Sequence, residues 1–111
     1  MAQTTPKVQY NQLYLNGTRT PVCQVGSSDW FAWLETASSF RYYTTRQTQV
    51  ARDHTRALFP ISVRKEKRRQ GYLWYAYRRA HGLLHKRYVG NTTTLTRERL
   101  DEVAAWLDTV W

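Results

Sequence analysis

Nine of the chain's seventeen lysines and arginines fall between Ile61 and Gly90: Arg64, Lys65, Lys67, Arg68, Arg69, Arg78, Arg79, Lys86 and Arg87. Glu66 is the one acid among them, so nine cations less one carboxylate leave this stretch at +8. The whole chain carries +9, and everything outside the stretch therefore contributes only +1. Trp74, Tyr75, Tyr77 and Tyr88 are interleaved with these cations. Cations at this density neutralise phosphates, and neighbouring rings offer faces for bases. Together they are the electrostatic footprint of a nucleic-acid-binding surface. A basic run such as Arg64 to Arg69 is often no more than a solvated strand end. Its coincidence with tyrosines on adjacent strands favours the binding reading.

Other chemistries are weaker. His81 and His85 are four apart, which suits a metal pair only on a helix. Gly82 turns the chain between them, and no cysteine or carboxylate joins them, so no metal and no cofactor is expected. His85 on a basic strand reads instead as a phosphate-contacting residue. Tyr, His, Arg and Lys together can cut RNA, with Tyr or His as general base and Arg or Lys steadying the phosphorane charge. Small basic ribosome-dependent RNase toxins of this size place such residues on a sheet, which makes an mRNA-interferase the enzyme alternative. Those toxins usually open with two helices, whereas this chain opens with a predicted hairpin. No paired carboxylates, Gly-rich phosphate loop or Ser/His/Asp set stands out, and a non-enzymatic role is expected.

The elements that must position these residues follow from pattern. Ile61 to Arg68, Tyr72 to Arg79 and Leu83 to Val89 read as three strands joined by the turns Arg69-Gln70-Gly71 and Ala80-His81-Gly82. Thr96 can cap a C-terminal helix with an apolar stripe at Leu100, Val103, Ala104, Leu107 and Val110, stapled by Leu95. Upstream, residues 1–9 read as a flexible tail. Leu13 to Val25 reads as a hairpin about Asn16-Gly17. Ser27 to Asp29 offers caps for a short helix in which Trp30, Phe31 and Leu34 share a face. Trp30, Phe31 and Trp33 could form a binding cage, but an amphipathic helix places them in the core. Phe40 to Thr44 is a further strand, and residues 46–60 are a long connection whose arginines are possible contacts.

The domain plan is thus a single unit over 1–111, with a tail at 1–9 and a hairpin–helix–strand module at 10–45. A connection at 46–60 then leads to the basic sheet and helix of 61–111. The lone Cys23 excludes an internal disulfide and suits a reducing cytoplasm, the expected compartment. It reads as a small semi-buried residue and not a reactive thiol. No apolar run approaches the length of a membrane span, and the polar N-terminus lacks the pattern of a signal peptide.

Alternation along the middle strand places Trp74, Ala76 and Arg78 on one face and Leu73, Tyr75, Tyr77 and Arg79 on the other. Ala76 among bulky neighbours marks close approach of another element, which assigns its face to the core and the Tyr75, Tyr77 and Arg79 face to the outside. The order sheet-then-helix and the WYAYRR/KRYVG pattern within RKEKRRQGYLWYAYRRAHGLLHKRYVGNTTTLTRERLDEVAAWL resemble, over roughly residues 61–107, the arm-type DNA-binding domains of tyrosine recombinases. The segment is more distantly similar to plant ethylene-response-factor domains, which insert a three-stranded sheet into the major groove. The fold expected is therefore α+β: a three-stranded antiparallel basic sheet backed by a C-terminal helix, with an N-terminal β-hairpin and short helix.

The expected function is sequence-specific duplex-DNA binding, in transcriptional regulation or as an accessory of a mobile element. RNA or single-stranded nucleic acid is the alternative partner, and no membrane partner is expected. The expected contacts are Arg64, Lys65, Lys67, Arg68, Arg69, Tyr75, Tyr77, Arg79, His85, Lys86 and Arg87.

Overall fold

The structure is a computed structural model that describes residues 5–15, 19–43, 60–69 and 71–108. Among them, seven strands form one mixed sheet: β1 (Lys7–Gln9), β2 (Gln12–Tyr14), β3 (Cys23–Gln24), β4 (Ser39–Tyr42), β5 (Ile61–Arg68), β6 (Gly71–Ala80) and β7 (Leu83–Gly90). Their spatial order is β3-β2-β1-β4-β5-β6-β7, antiparallel throughout except for the parallel pair β1 and β4. Among the described residues two α-helices, α1 (Ser28–Thr36) and α2 (Arg97–Asp108), accompany them.

This corrects the three-stranded sheet expected from the sequence. The three basic strands lie where expected, but four N-terminal strands extend the same sheet and do not form a separate module. The join is β4, whose Phe40 pairs with Val63 and whose Arg41 pairs with Ser62. On its other side β4 takes β1 in parallel, Val8 beside Tyr42. Lys7–Gln9, expected in the tail, is β1. It hydrogen-bonds to β2 across a two-residue turn, in which Tyr10 and Asn11 both have positive φ, 54° and 65°. That backbone is the turn geometry that matches strand twist. The expected hairpin of Leu13 with Cys23 is present as the pairing of β2 and β3. Its Asn16-Gly17 turn, the connection over 46–59 and Val110 lie outside the described residues.

Both helices pack on one side of the sheet. The Ser27 hydroxyl caps α1 by accepting from the Trp30 N–H at 3.2 Å, and Trp30 and Leu34 are buried. The Thr96 hydroxyl caps α2 by accepting from the Arg99 N–H at 3.2 Å. Leu95, Leu100, Val103, Ala104 and Leu107 are then buried against the sheet. The shared core runs through Val8, Leu13, Phe40, Ile61, Val63, Trp74, Ala76 and Val89. Phe40 sits between indoles, 5.4 Å from the Trp30 ring and 5.6 Å from that of Trp74. The Trp30 N–H donates to the Leu95 carbonyl at 2.9 Å, and Tyr42 donates to Asp101 Oδ1 at 2.5 Å. Burial and that acceptor hold the Tyr42 phenol well above its ordinary pKa. No described helix is long and apolar enough to cross a membrane.

Candidate nucleic-acid interface

With both helices on one side, no described element covers the other face of β4–β7. Strand pairing fixes which side chains share it. Arg41, Ser62, Tyr77 and Lys86 stand in one row across four strands. Ser39, Arg64, Tyr75 and Tyr88 form the next row. Arg79 with Leu84 lies beyond the first row, and Glu66 with Leu73 and then Arg68 with Gly71 lie beyond the second. Tyr88 takes its place in the second row by plain alternation with Leu84 and Lys86 along β7. Beyond it the register shifts: Tyr75 pairs with Tyr88 while Trp74 pairs with Gly90, so Val89 is an extra residue, and it is buried.

Among the described residues the face holds five cations, Arg41, Arg64, Arg68, Arg79 and Lys86, against one carboxylate, Glu66. Guanidinium and ammonium groups sit over the tyrosines: Arg68 at 5.0 Å and Lys86 at 4.3 Å from the Tyr75 ring centre, and Arg64 at 5.2 Å from that of Tyr77. Arg68 also donates to the Tyr75 hydroxyl at 3.3 Å, the main reason its pKa is raised. Glu66 gathers three donors: Arg68 at 2.5 Å, Lys86 at 3.2 Å and the Tyr77 hydroxyl. Exposed pairs of this kind add little stability. Their effect is to hold the long side chains close to the sheet.

Of the eleven residues expected to make contact, six share this face: Arg64, Arg68, Tyr75, Tyr77, Arg79 and Lys86. Tyr77 is 9% exposed, closed off by its cation neighbours and its bond to Glu66. The remaining five lie elsewhere. Lys65 is on the helix side, donating to the Leu34 carbonyl at 2.7 Å and the Glu35 carbonyl at 3.2 Å, and so caps the C-terminal end of α1. A cation there is favoured by the helix dipole. Lys67, paired with Tyr72, has the helix-side parity of Lys65 and is exposed. Arg69 is exposed in the β5–β6 turn. His85, opposite Arg78, and Arg87, opposite Ala76, alternate with Lys86 and belong to the helix side. Arg87 lies 4.5 Å over the Trp106 ring of α2.

Arg41 and Tyr88 are face residues absent from the expected contacts, and Arg41 is the cation that sequence reasoning missed. Its signal was present in SFRY, where Phe40 and Tyr42 are buried and Arg41 alternates outward. Cys23 is half-buried, and its thiol pKa is raised, first by burial and then by the Asp29 charge. Among the described residues no group of three or more His, Cys, Asp or Glu side chains could hold a metal ion. Comparison with family models, curated proteins and solved structures finds no match to this chain.

Proposed function

We propose that this chain binds duplex DNA, laying the open face of β5–β7 against the major groove without catalysing a reaction on it. The observation that carries the reading is the clustering of five cations and exposed tyrosine on a sheet face that no described element covers. Three strands at their usual spacing span about 10 Å between the outer two, within a groove about 12 Å wide. Arg41 on β4 lies one strand further out, about 14 Å from β7, where a phosphate backbone borders the groove. Strand-to-strand twist of about 20–25° turns β1–β3 progressively away, so the wide sheet need not enter the groove whole.

In this pose Arg41, Arg64, Arg68 and Lys86 neutralise phosphates. Arg79 and Tyr75 meet base edges, with Tyr88 beside them. Tyr77 supports its neighbours and does not read bases.

Arg79→Ala should then cost about 1–3 kcal/mol on the preferred sequence and relax preference at one or two positions. Lys86→Ala should instead weaken binding equally on all sequences and reduce the salt slope by about one unit. Binding titrations over a randomised duplex pool measure both. Equal loss on every sequence for both variants would contradict base reading by Arg79. The same incubations, and incubation with translating ribosomes, should leave DNA and RNA uncleaved.

One observation favours a second reading. Tyr88 is 47% exposed, with its ring 5.5 Å from that of Tyr75 and inclined at 61°. Such a pair can stack unpaired bases, which makes single-stranded DNA or RNA the competing ligand.

A further inference from the structure

The open face is not evenly charged. At the Glu66 end, Arg68 and Lys86 are already paired with a carboxylate. At the opposite end the surface sinks into a cleft of about 340 Å³, lined by Arg41, Ser62, Arg64, Tyr77, Arg78 and Arg79 among others. These arginines come from β4, β5 and β6, and no carboxylate lines the cleft among the described residues. Arg41, Arg64 and Arg79 form no ion pair among the described residues. Arg78, only 4% exposed, forms part of the cleft wall.

The guanidinium groups of Arg41, Arg64 and Arg79 around one concavity repel one another, and the repulsion is relieved by an anion. A backbone phosphodiester brings a single charge and passes over an open face without needing a recess. A phosphomonoester brings about 1.5–2 charges and three acceptor oxygens near neutral pH. Arginine's forked donors suit those oxygens, and several arginines can share them. The cleft volume lies at the lower end of the range for small-molecule sites, room for more than a phosphate alone. The Tyr77 ring and the Ser62 hydroxyl supply an apolar wall and a further hydrogen-bonding group. The geometry points to a seat for a phosphomonoester carried on a nucleoside, either a free nucleotide or the phosphorylated end of a strand. It uses part of the face assigned to duplex binding but does not require that a duplex bind there.

Two ligand pairs test it by calorimetric or anisotropy titration: adenosine 5′-monophosphate against adenosine, and a short duplex with 5′-phosphates against the same duplex with 5′-hydroxyls. The phosphorylated member of at least one pair should bind about tenfold tighter. A preference in the first pair identifies a free nucleotide and one in the second a strand end. The combined Arg41→Ala and Arg79→Ala variant should lose the preference while keeping the wild-type melting temperature, because both side chains are exposed. Arg97→Ala, on α2, should keep it. Equal binding within both pairs overturns the proposal, as does a preference that survives the combined variant. A 5′-hydroxyl duplex that binds well with no phosphate preference leaves the duplex reading standing and removes the seat. Monophosphate binding with no duplex binding does the reverse.

Discussion

Alternation along a single strand decides which neighbours face outward and which hold the fold. Trp74 and Ala76 are fully buried, whereas Tyr75 between them faces outward, as the small size of Ala76 led one to expect. Trp74→Ala should therefore cost about 3–5 kcal/mol of stability, its indole also losing the 3.2 Å bond to the Thr92 hydroxyl. Tyr75→Ala should weaken nucleic-acid binding with little thermal effect. Melting curves beside binding titrations separate the two, and the opposite pattern would mean that the sheet is inside out. Gly90 is the other sensitive position. Its φ of +146° is one that side chains rarely adopt, and a Cβ there would collide with the Thr94 hydroxyl. Gly90→Ala should destabilise by about 2–4 kcal/mol in chemical denaturation, through strain and overpacking at the end of β7. Wild-type stability in that variant would show that the turn into α2 is not held by this contact.

Elements were legible in proportion to their length and to the familiarity of their turns. The strands β5–β7 and the α2 stripe are long enough for period 2 and period 3.6 to declare themselves, and both register in the burial of Ile61, Val63, Leu100 and Leu107. β1–β3 are two or three residues each, too short for alternation to show. The turn that pairs β1 with β2 uses Tyr10-Asn11 in place of the Asn-Gly or Asp-Gly that would advertise it. The parallel pairing of β1 with β4 has no local signal at all, because it joins segments more than thirty residues apart.

The same limits explain the contact set. Strand parity separates Arg64 from Lys65 once the face is known. The same parity along β7 sets Tyr88 outward with Lys86 and turns Arg87 toward α2. That α2 packs on the sheet is directly testable: Leu107→Ala should cost about 2–4 kcal/mol and Tyr42→Phe, which removes the bond to Asp101, about 0.5–1.5 kcal/mol. Thermal or denaturant melts check both, and an unchanged midpoint for Leu107→Ala would remove α2 from the core.

At the scale of the molecule, one sheet divides the labour. Among the described residues its helix side carries α1, α2, the buried indoles of Trp30 and Trp74 and the Lys65 cap of α1, while the open side of β4–β7 carries Arg41, Arg64, Arg68, Arg79 and Lys86 against Glu66. Charge segregated in this way produces a one-sided field that steers a polyanion to the open side. The four N-terminal strands distinguish this chain from a bare three-stranded module, and through β4 they add Arg41 to the open face.

The most direct test of the central claim is the salt dependence of binding to a short duplex, beside single-stranded DNA and RNA of the same length. Four phosphate contacts predict a log–log slope of about −3.6 on the duplex, and tighter binding to the duplex than to either single strand. A flat salt response would contradict the assignment of the open face as the binding surface, and tighter binding to a single strand at equal salt would contradict the groove-facing pose.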